Sequence, residues 1–303
     1  MSRPLISIIT VVFNGAATLE TTIASVINQT WKEIEYIVVD GGSTDGTLAL
    51  LDKYKDQITL WVSEPDKGVY DAMNKGVRMA RGEWLYFLGS DDWLYKDTVV
   101  AALFEEPANR DCHLLYGNVI SPSYKGLYDG PFTLEKLLSR NVSHQAAFYR
   151  KELFQRLGEF NLQYRLHADW DFNLRCFTAE WVKTKFVAVC IAEFGAEGIS
   201  SSHDVPFLRA RLIPEKLHWL DKRGTRTLRR IADYDEWWRF LRNARIRDEK
   251  ELEQAAGQQS LPVAIGRMIR WQRIFSPRLL RIGVFSKAWM LGSYLSNRLT
   301  GSL

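Results

Sequence analysis

Four apolar runs at residues 5–13, 34–40, 58–63 and 84–88 alternate with amphipathic segments, and that rhythm leaves few folds open. Leu19, Ile23, Val26 and Ile27 mark one helix face between the first two runs, Leu48 and Leu51 a second, and Met73, Val77 and Ala80 a third. Strands separated by helices of this length pair in parallel, and the crossovers between them are right-handed. The pattern predicts an α/β chain with a Rossmann-like sheet. The last run, Trp84-Leu85-Tyr86-Phe87-Leu88, is aromatic-rich and bounded by Gly82 and Gly89, as a strand buried on both faces should be. It stops at Asp91-Asp92. Ligands of open α/β sheets bind beyond the carboxyl ends of the strands, where these two acids are expected. Two adjacent carboxylates repel one another, a cost that a divalent cation with oxygen ligands offsets, although a solvated turn also accounts for them.

From residue 112 the apolar pieces shorten to 114–116, 146–149 and 185–191, set among Gly, Pro, Ser and Tyr, with short helices expected at 153–157 and 172–177. This predicts a mixed sheet with longer loops, suited to a second substrate. Beyond Pro206 the chain reads as helical and charged, with Trp219, Trp237 and Trp238 as apolar anchors. The expected organisation is an α/β domain at 1–205 with two parts (1–110 and 111–205), then a helical extension (206–260) and a tail (261–303).

Charge is unevenly spread. The tail holds Arg267, Arg270, Arg273, Arg278, Arg281, Lys287 and Arg298 and no acid, so the rest of the chain carries −3 of the net +4. Arginines interleaved with Trp271, Phe275, Phe285 and Trp289 suit a helix lying on an anionic membrane surface, or a packing appendage. A net positive charge confined to the tail, on a slightly acidic body, argues against nucleic acid. Cys112, Cys176 and Cys190 lack metal or redox spacing and read as buried thiols. No run reaches the roughly 18 apolar residues of a membrane span. Residues 6–13 read as a strand rather than a leader, so the expected location is cytoplasmic, with peripheral attachment to the inner face of the plasma membrane through the tail.

Two further motifs end strands. Val12-Phe13-Asn14-Gly15 closes the first, and Asp40-Gly41-Gly42-Ser43-Thr44-Asp45-Gly46-Thr47 closes the second with a glycine-rich loop. The loop has neither P-loop nor dinucleotide-binding spacing. After the third strand, Glu64-Pro65-Asp66-Lys67-Gly68 leads into a helix whose small residues Ala72, Gly76 and Ala80 permit close approach to the sheet. Asp40, Glu64 or Asp66, and Asp91 with Asp92 therefore fall at one predicted edge, which raises the case for a site there.

These motifs, with Asn74-Lys75-Gly76 and Ser90-Asp91-Asp92, stand in an order and spacing that resembles the family 2 glycosyltransferases of the GT-A fold, including those of bacterial polysaccharide assembly. The resemblance implies an inverting transferase that moves a hexosyl or N-acetylhexosaminyl group from a nucleotide-diphosphate sugar, UDP foremost, to an acceptor hydroxyl. It implies nucleotide contacts from Thr10, Val12, Asn14, Asp40, Asp66, Lys67 and Asp91. Asp92, with His203 as a candidate partner, would hold Mn²⁺ or Mg²⁺. The family's base lies in a Glu-Asp pair opening a later helix. Here the segment is His167-Ala168-Asp169-Trp170-Asp171, so Ala168 replaces the Glu, Asp169 is the expected base and Asp171 the runner-up. His144 is a candidate for the acceptor side. The tail favours a saccharide or lipid-linked saccharide acceptor. Alternatives are transfer to a polyprenyl phosphate, or a catalytically silent nucleotide-binding or partner-docking subunit.

Overall fold

The structure is a computed structural model that describes residues 5–121, 126–195, 204–223, 239–247 and 249–257. The chain divides into two compact units, Met1–Asp204 and Val205–Leu303. The first is built on a nine-stranded sheet. Its opening strands are β1 (Ile6–Val12), β2 (Ile34–Asp40), β3 (Leu60–Ser63) and β4 (Trp84–Gly89), joined by helices α1 (Leu19–Ile27), α2 (Thr47–Lys53) and α3 (Val69–Met79). Neighbours among these strands pair in parallel in the order β3-β2-β1-β4, as the alternating rhythm predicts. Central β1 is buried throughout, whereas β3 at the edge exposes Leu60. Any side chain at Gly76 would collide with Ile9, which is why α3 turns a face of small residues to the sheet.

The second part of the sheet comprises β5 (Trp93–Leu94), β6 (Leu114–Ser121), β7 (Gly126–Tyr128), β8 (Ala147–Arg150) and β9 (Thr184–Glu193). Strand β8 inserts antiparallel between β4 and β6, β9 runs parallel to β6, and β5 pairs antiparallel with β9. The remaining helices of this unit are α4 (Val99–Phe104), α5 (Leu134–Leu137), α6 (Lys151–Leu157) and α7 (Ala168–Thr178).

Aromatic residues fill both faces of β4. On one, Tyr86 stacks on Phe148 at 4.4 Å and Trp84 meets Phe104 edge-on. On the other, Phe87 meets Phe154 and Phe160, and Phe154 stacks on Phe172 of α7 at 4.2 Å. Each such pair contributes about 0.5–1.5 kcal/mol beyond the area it buries. Helix α7 is thereby fixed against β4, the strand that leads to Asp91-Asp92.

In the second unit, helices Ile213–Arg223 and Glu249–Ala256 bury Ile213, Leu217 and Leu252, and Arg209 donates to the Ala244 carbonyl at 2.8 Å. Trp219 is half-buried, while Trp237, Trp238 and the tail at 261–303 lie outside the described residues. Among the described residues no helix is long and apolar enough to cross a membrane.

Candidate active site

Strand register gathers the predicted acids. Val12 lies opposite Asp40, Asp40 opposite Ser63, and Val11 opposite Gly89, so four parallel strands end at one edge. What each residue does there differs considerably.

Much of the glycine-rich loop holds itself together. Asp40 has no exposed surface. Its Oδ2 accepts from the Gly42 and Ser43 amides at 3.0 and 2.9 Å and from Ser63 Oγ at 2.6 Å, and its Oδ1 accepts from Ser43 Oγ. Ser43 Oγ in turn accepts from the Asn14 amide at 2.7 Å, and Asn14 Oδ1 accepts from the Thr44 amide at 2.9 Å. Asn14 holds a left-handed φ of 52°, which an Asn tolerates better than most residues. Asp45 completes the lacing by accepting from the Ala16 amide and from Thr47. Thr10 is buried in mid-strand and accepts from the Tyr36 hydroxyl at 3.2 Å, and Val12 is buried with its carbonyl taken by the Gly41 amide. These side chains set the shape of the rim from beneath it.

Three groups face outward at the same edge. Phe13 is 65% exposed although it follows a buried strand. Asp66 brings Oδ2 to the place a β-carbon on Gly41 would occupy, and its Oδ1 accepts from the Gly68 amide at 2.7 Å. Phe13 also borders that position, 3.4 Å from it. Gly41 is therefore closely covered by a carboxylate and an aromatic ring, with no room for a side chain. Lys67 is exposed, and its amide donates to Asp71. Glu64, the alternative to Asp66, pairs instead with Lys75 at 2.8 Å.

The paired acids are held from several directions. A β-carbon on Gly89 would lie 2.5 Å from Asp92 Oδ2 and 3.1 Å from Asp91 Oδ1, so both carboxylates converge over a residue that must be glycine. Asp92 is buried; its Oδ1 accepts from the Gly195 amide at 3.1 Å and its Oδ2 from Gln145 Nε2 at 2.7 Å. Thr22 Oγ1 donates to its carbonyl at 2.7 Å. Among the described residues no cluster of three or more His, Cys, Asp or Glu could hold a metal, and His203 lies outside them. Two converging carboxylates nevertheless fit a Mg²⁺-like ion, which usually takes one or two protein carboxylates and completes its shell with substrate phosphates and water.

Opposite stands Asp169, in the first turn of α7. Its Oδ1 accepts from the Tyr70 hydroxyl at 2.7 Å and the Trp170 amide at 2.8 Å. Its Oδ2 accepts from Asn141 Nδ2 at 2.9 Å and lies 3.3 Å from His144 Nδ1. Burial raises its pKa, but the bonds from His144 and Tyr70 outweigh that and hold it below the ordinary carboxylate value. Burial, and then the charge of Asp169, push the Tyr70 phenol well up, so it stays a donor. Asp171 pairs with Arg175 at 3.0 Å, and Arg175 also donates to the carbonyls of Leu157, Gly158 and Glu159. That arrangement ties α7 to the end of α6.

Residues 7–170 match the family described as glycosyl transferase family 2. The chain belongs to this family. A PGL/p-HBAD biosynthesis glycosyltransferase of Mycobacterium bovis is 43% identical over 205 residues, covering 65% of this chain and 79% of the relative. Among solved structures, Staphylococcus aureus TarS residues 1–349 in complex with UDP-GlcNAc superposes with a TM-score of 0.59 at 18% identity, over 79% of this chain and 81% of that one. The mannosyltransferase PcManGT from Pyrobaculum calidifontis, in complex with GDP-Man and Mn²⁺, gives 0.55 at 18% identity over 100% of this chain and 89% of that one. At such identities the likeness shows the fold: this glycosyltransferase has the GT-A architecture. Its motifs at residues 10–14, 40–47, 64–76 and 90–92 all lie within the matched span.

Sequence reasoning did not single out Tyr70, Asn141 or Gln145. Only Gln145 carried a signal, as the polar neighbour of His144 ahead of a buried strand. Phe13 stood within a motif without a role, and its exposure is the sign that distinguishes it from the strand before it.

Proposed function

We propose that this glycosyltransferase moves a sugar from a nucleotide-diphosphate donor to an acceptor hydroxyl in a single displacement that inverts the anomeric centre. The reading rests chiefly on one juxtaposition. Gln145 binds Asp92 while the adjacent His144 lies against Asp169, so one turn spans the paired acids and the buried carboxylate group. A donor diphosphate belongs at the first end and an acceptor hydroxyl at the second.

Phe13 offers a ring for the base, and Asp66 an acceptor for a base or ribose donor, both beside Gly41. Asp40 and Asn14 act by holding the two loops in register, and Lys67 is placed to meet phosphate charge. Asp91 and Asp92 would hold Mn²⁺ or Mg²⁺, which supplies charge neutralisation for the departing diphosphate. The cluster formed by Asp169, His144, Tyr70 and Asn141 takes up the hydroxyl proton. The family relationship and the arginine-rich tail support a saccharide or lipid-linked saccharide acceptor in glycolipid or polysaccharide assembly. We assign the catalytic domain to 1–205 and a membrane-surface role on the cytoplasmic face to 261–303.

Thermal-shift measurements with UDP, GDP and dTDP, each with Mn²⁺, followed by hydrolysis of the matching nucleotide sugars, test the activity. One nucleotide, UDP foremost, should stabilise the protein by about 2.7 kcal/mol at a hundredfold excess over Kd. Chelation should remove most turnover. No stabilisation by any nucleotide, together with no hydrolysis, would sink the reading. Flotation on anionic liposomes, compared before and after replacing Arg267, Arg270 and Arg273 by Gln, tests the tail, and unchanged flotation would remove its role.

A further inference from the structure

The carboxylate expected to act as base has little capacity left for a substrate. An ionised Asp offers about four lone-pair sites. Asp169 directs them to the Tyr70 hydroxyl, the Trp170 amide, the Asn141 amide group and His144 Nδ1, and it is only 6% exposed. Its lowered pKa makes it a weaker proton acceptor still.

The imidazole of His144 stands differently. Its side chain is 20% exposed, against 8% for Asp169. Nδ1 faces the carboxylate, an arrangement that places the proton on Nδ1 and leaves Nε2 as the acceptor. Among the described residues Nε2 has no hydrogen-bond partner. The ring belongs to the turn His144–Ala146, which is anchored by the Tyr86 hydroxyl on the Gln145 carbonyl at 2.9 Å and by Gln145 on Asp92. Ser143 Oγ donates to Gln145 Oε1 at 2.5 Å and so orients the amide nitrogen toward Asp92. The ring is held at a fixed place relative to the paired acids.

We propose that His144 receives the proton of the acceptor hydroxyl and that Asp169 is its positioning residue, a His–Asp couple in place of a lone carboxylate base. This rests on the glycosyltransferase reading above. In the step, a lone pair of the acceptor oxygen forms the bond to the anomeric carbon, and the bond from that carbon to the diphosphate oxygen breaks, its electron pair leaving with the nucleotide. The hydroxyl proton passes to Nε2, and the imidazolium is stabilised through Nδ1–H by the Asp169 carboxylate. Other titratable groups facing the couple are Tyr70 from α3, Tyr149 from β8 and His167 ahead of α7, with Asp92 reached through Gln145.

The test compares His144→Asn and His144→Ala with the wild type. An Asn amide can replace Nδ1–H against Asp169 but cannot take the proton, so a merely structural role would be rescued by it. Both variants should keep the thermal-shift response to UDP with Mn²⁺ and lose about 10²- to 10⁴-fold in kcat. Added imidazole should restore part of the rate in His144→Ala. Near wild-type kcat in His144→Asn would overturn the proposal while leaving sugar transfer intact. Absence of turnover in the wild type with every nucleotide sugar would overturn the underlying reading as well.

Discussion

Replacing Asp40 by Ala separates a loop-holding role from a ligand-touching one. Truncation removes the acceptor for two amides and two hydroxyls. Gly42 is half-buried and Ser63 exposed, so water can satisfy their donors, but Ser43 is 6% exposed and its amide and hydroxyl lose their partner in a dry place. Each buried donor left unmade costs about 1–3 kcal/mol, and partial rescue by rotation of the hydroxyl brings the sum to about 2–4 kcal/mol. For a unit of this size that lowers Tm by roughly 5–15 °C. Differential scanning calorimetry gives the shift, and titration with UDP in Mn²⁺ gives the affinity of the folded fraction. Expected is a large fall in Tm with a weaker effect on binding below the transition. A Tm within about 2 °C of the wild type, with affinity down tenfold or more, would show that the carboxylate meets the nucleotide and that its hydrogen bonds hold nothing.

Asp169→Asn and Asp171→Asn should behave oppositely. The first should abolish transfer with nucleotide binding kept, and the second should lower Tm, by an amount set by loss of the Arg175 pair at about 1–3 kcal/mol, with kcat largely retained; calorimetry and product formation read both. Gly89→Ala should leave the aromatic core intact in near-ultraviolet dichroism but drive apart the two carboxylates, with turnover in Mn²⁺ falling at least tenfold. Glu35 is 4% exposed. Burial raises its pKa, but bonds from the Arg81 amide, Ser7 and the Arg81 guanidinium outweigh that and hold it below 4.5. A carboxylate with a lowered folded pKa stabilises above its unfolded value and loses that contribution as pH falls through the folded one. Stability of Glu35→Gln should therefore depend less on pH below about 4.5 than the wild type in acid denaturation.

Legibility followed the range of the interactions. The runs that became β1, β2 and β4 could be read locally because burial on both faces forces continuous apolar sequence, and the acids at their ends were placed by the parallel register that follows. The small face of α3 was legible for the same reason, since Gly76 has no other use against Ile9. Less of the site was legible. Asp40, Asp66 and Asp92 are the same residue type at similar strand or loop ends, yet one is consumed by its loop, one packs over Gly41 and one is clamped by Gln145 and Gly195.

By itself the sequence determined the strand-helix order, the edge where the acids gather and the family to which the chain belongs, because periodicity and motif spacing are properties of neighbours along the chain. Tertiary structure decided which acids face outward and which partner each one keeps. Inserting β8 antiparallel beside β4 carries His144 and Gln145 to the paired acids, and stacking α7 on Phe154 brings Asp169 to Tyr70 and His144. Those contacts join residues from 25 to 99 positions apart, and a carboxylate's role is set by the donors that fold around it.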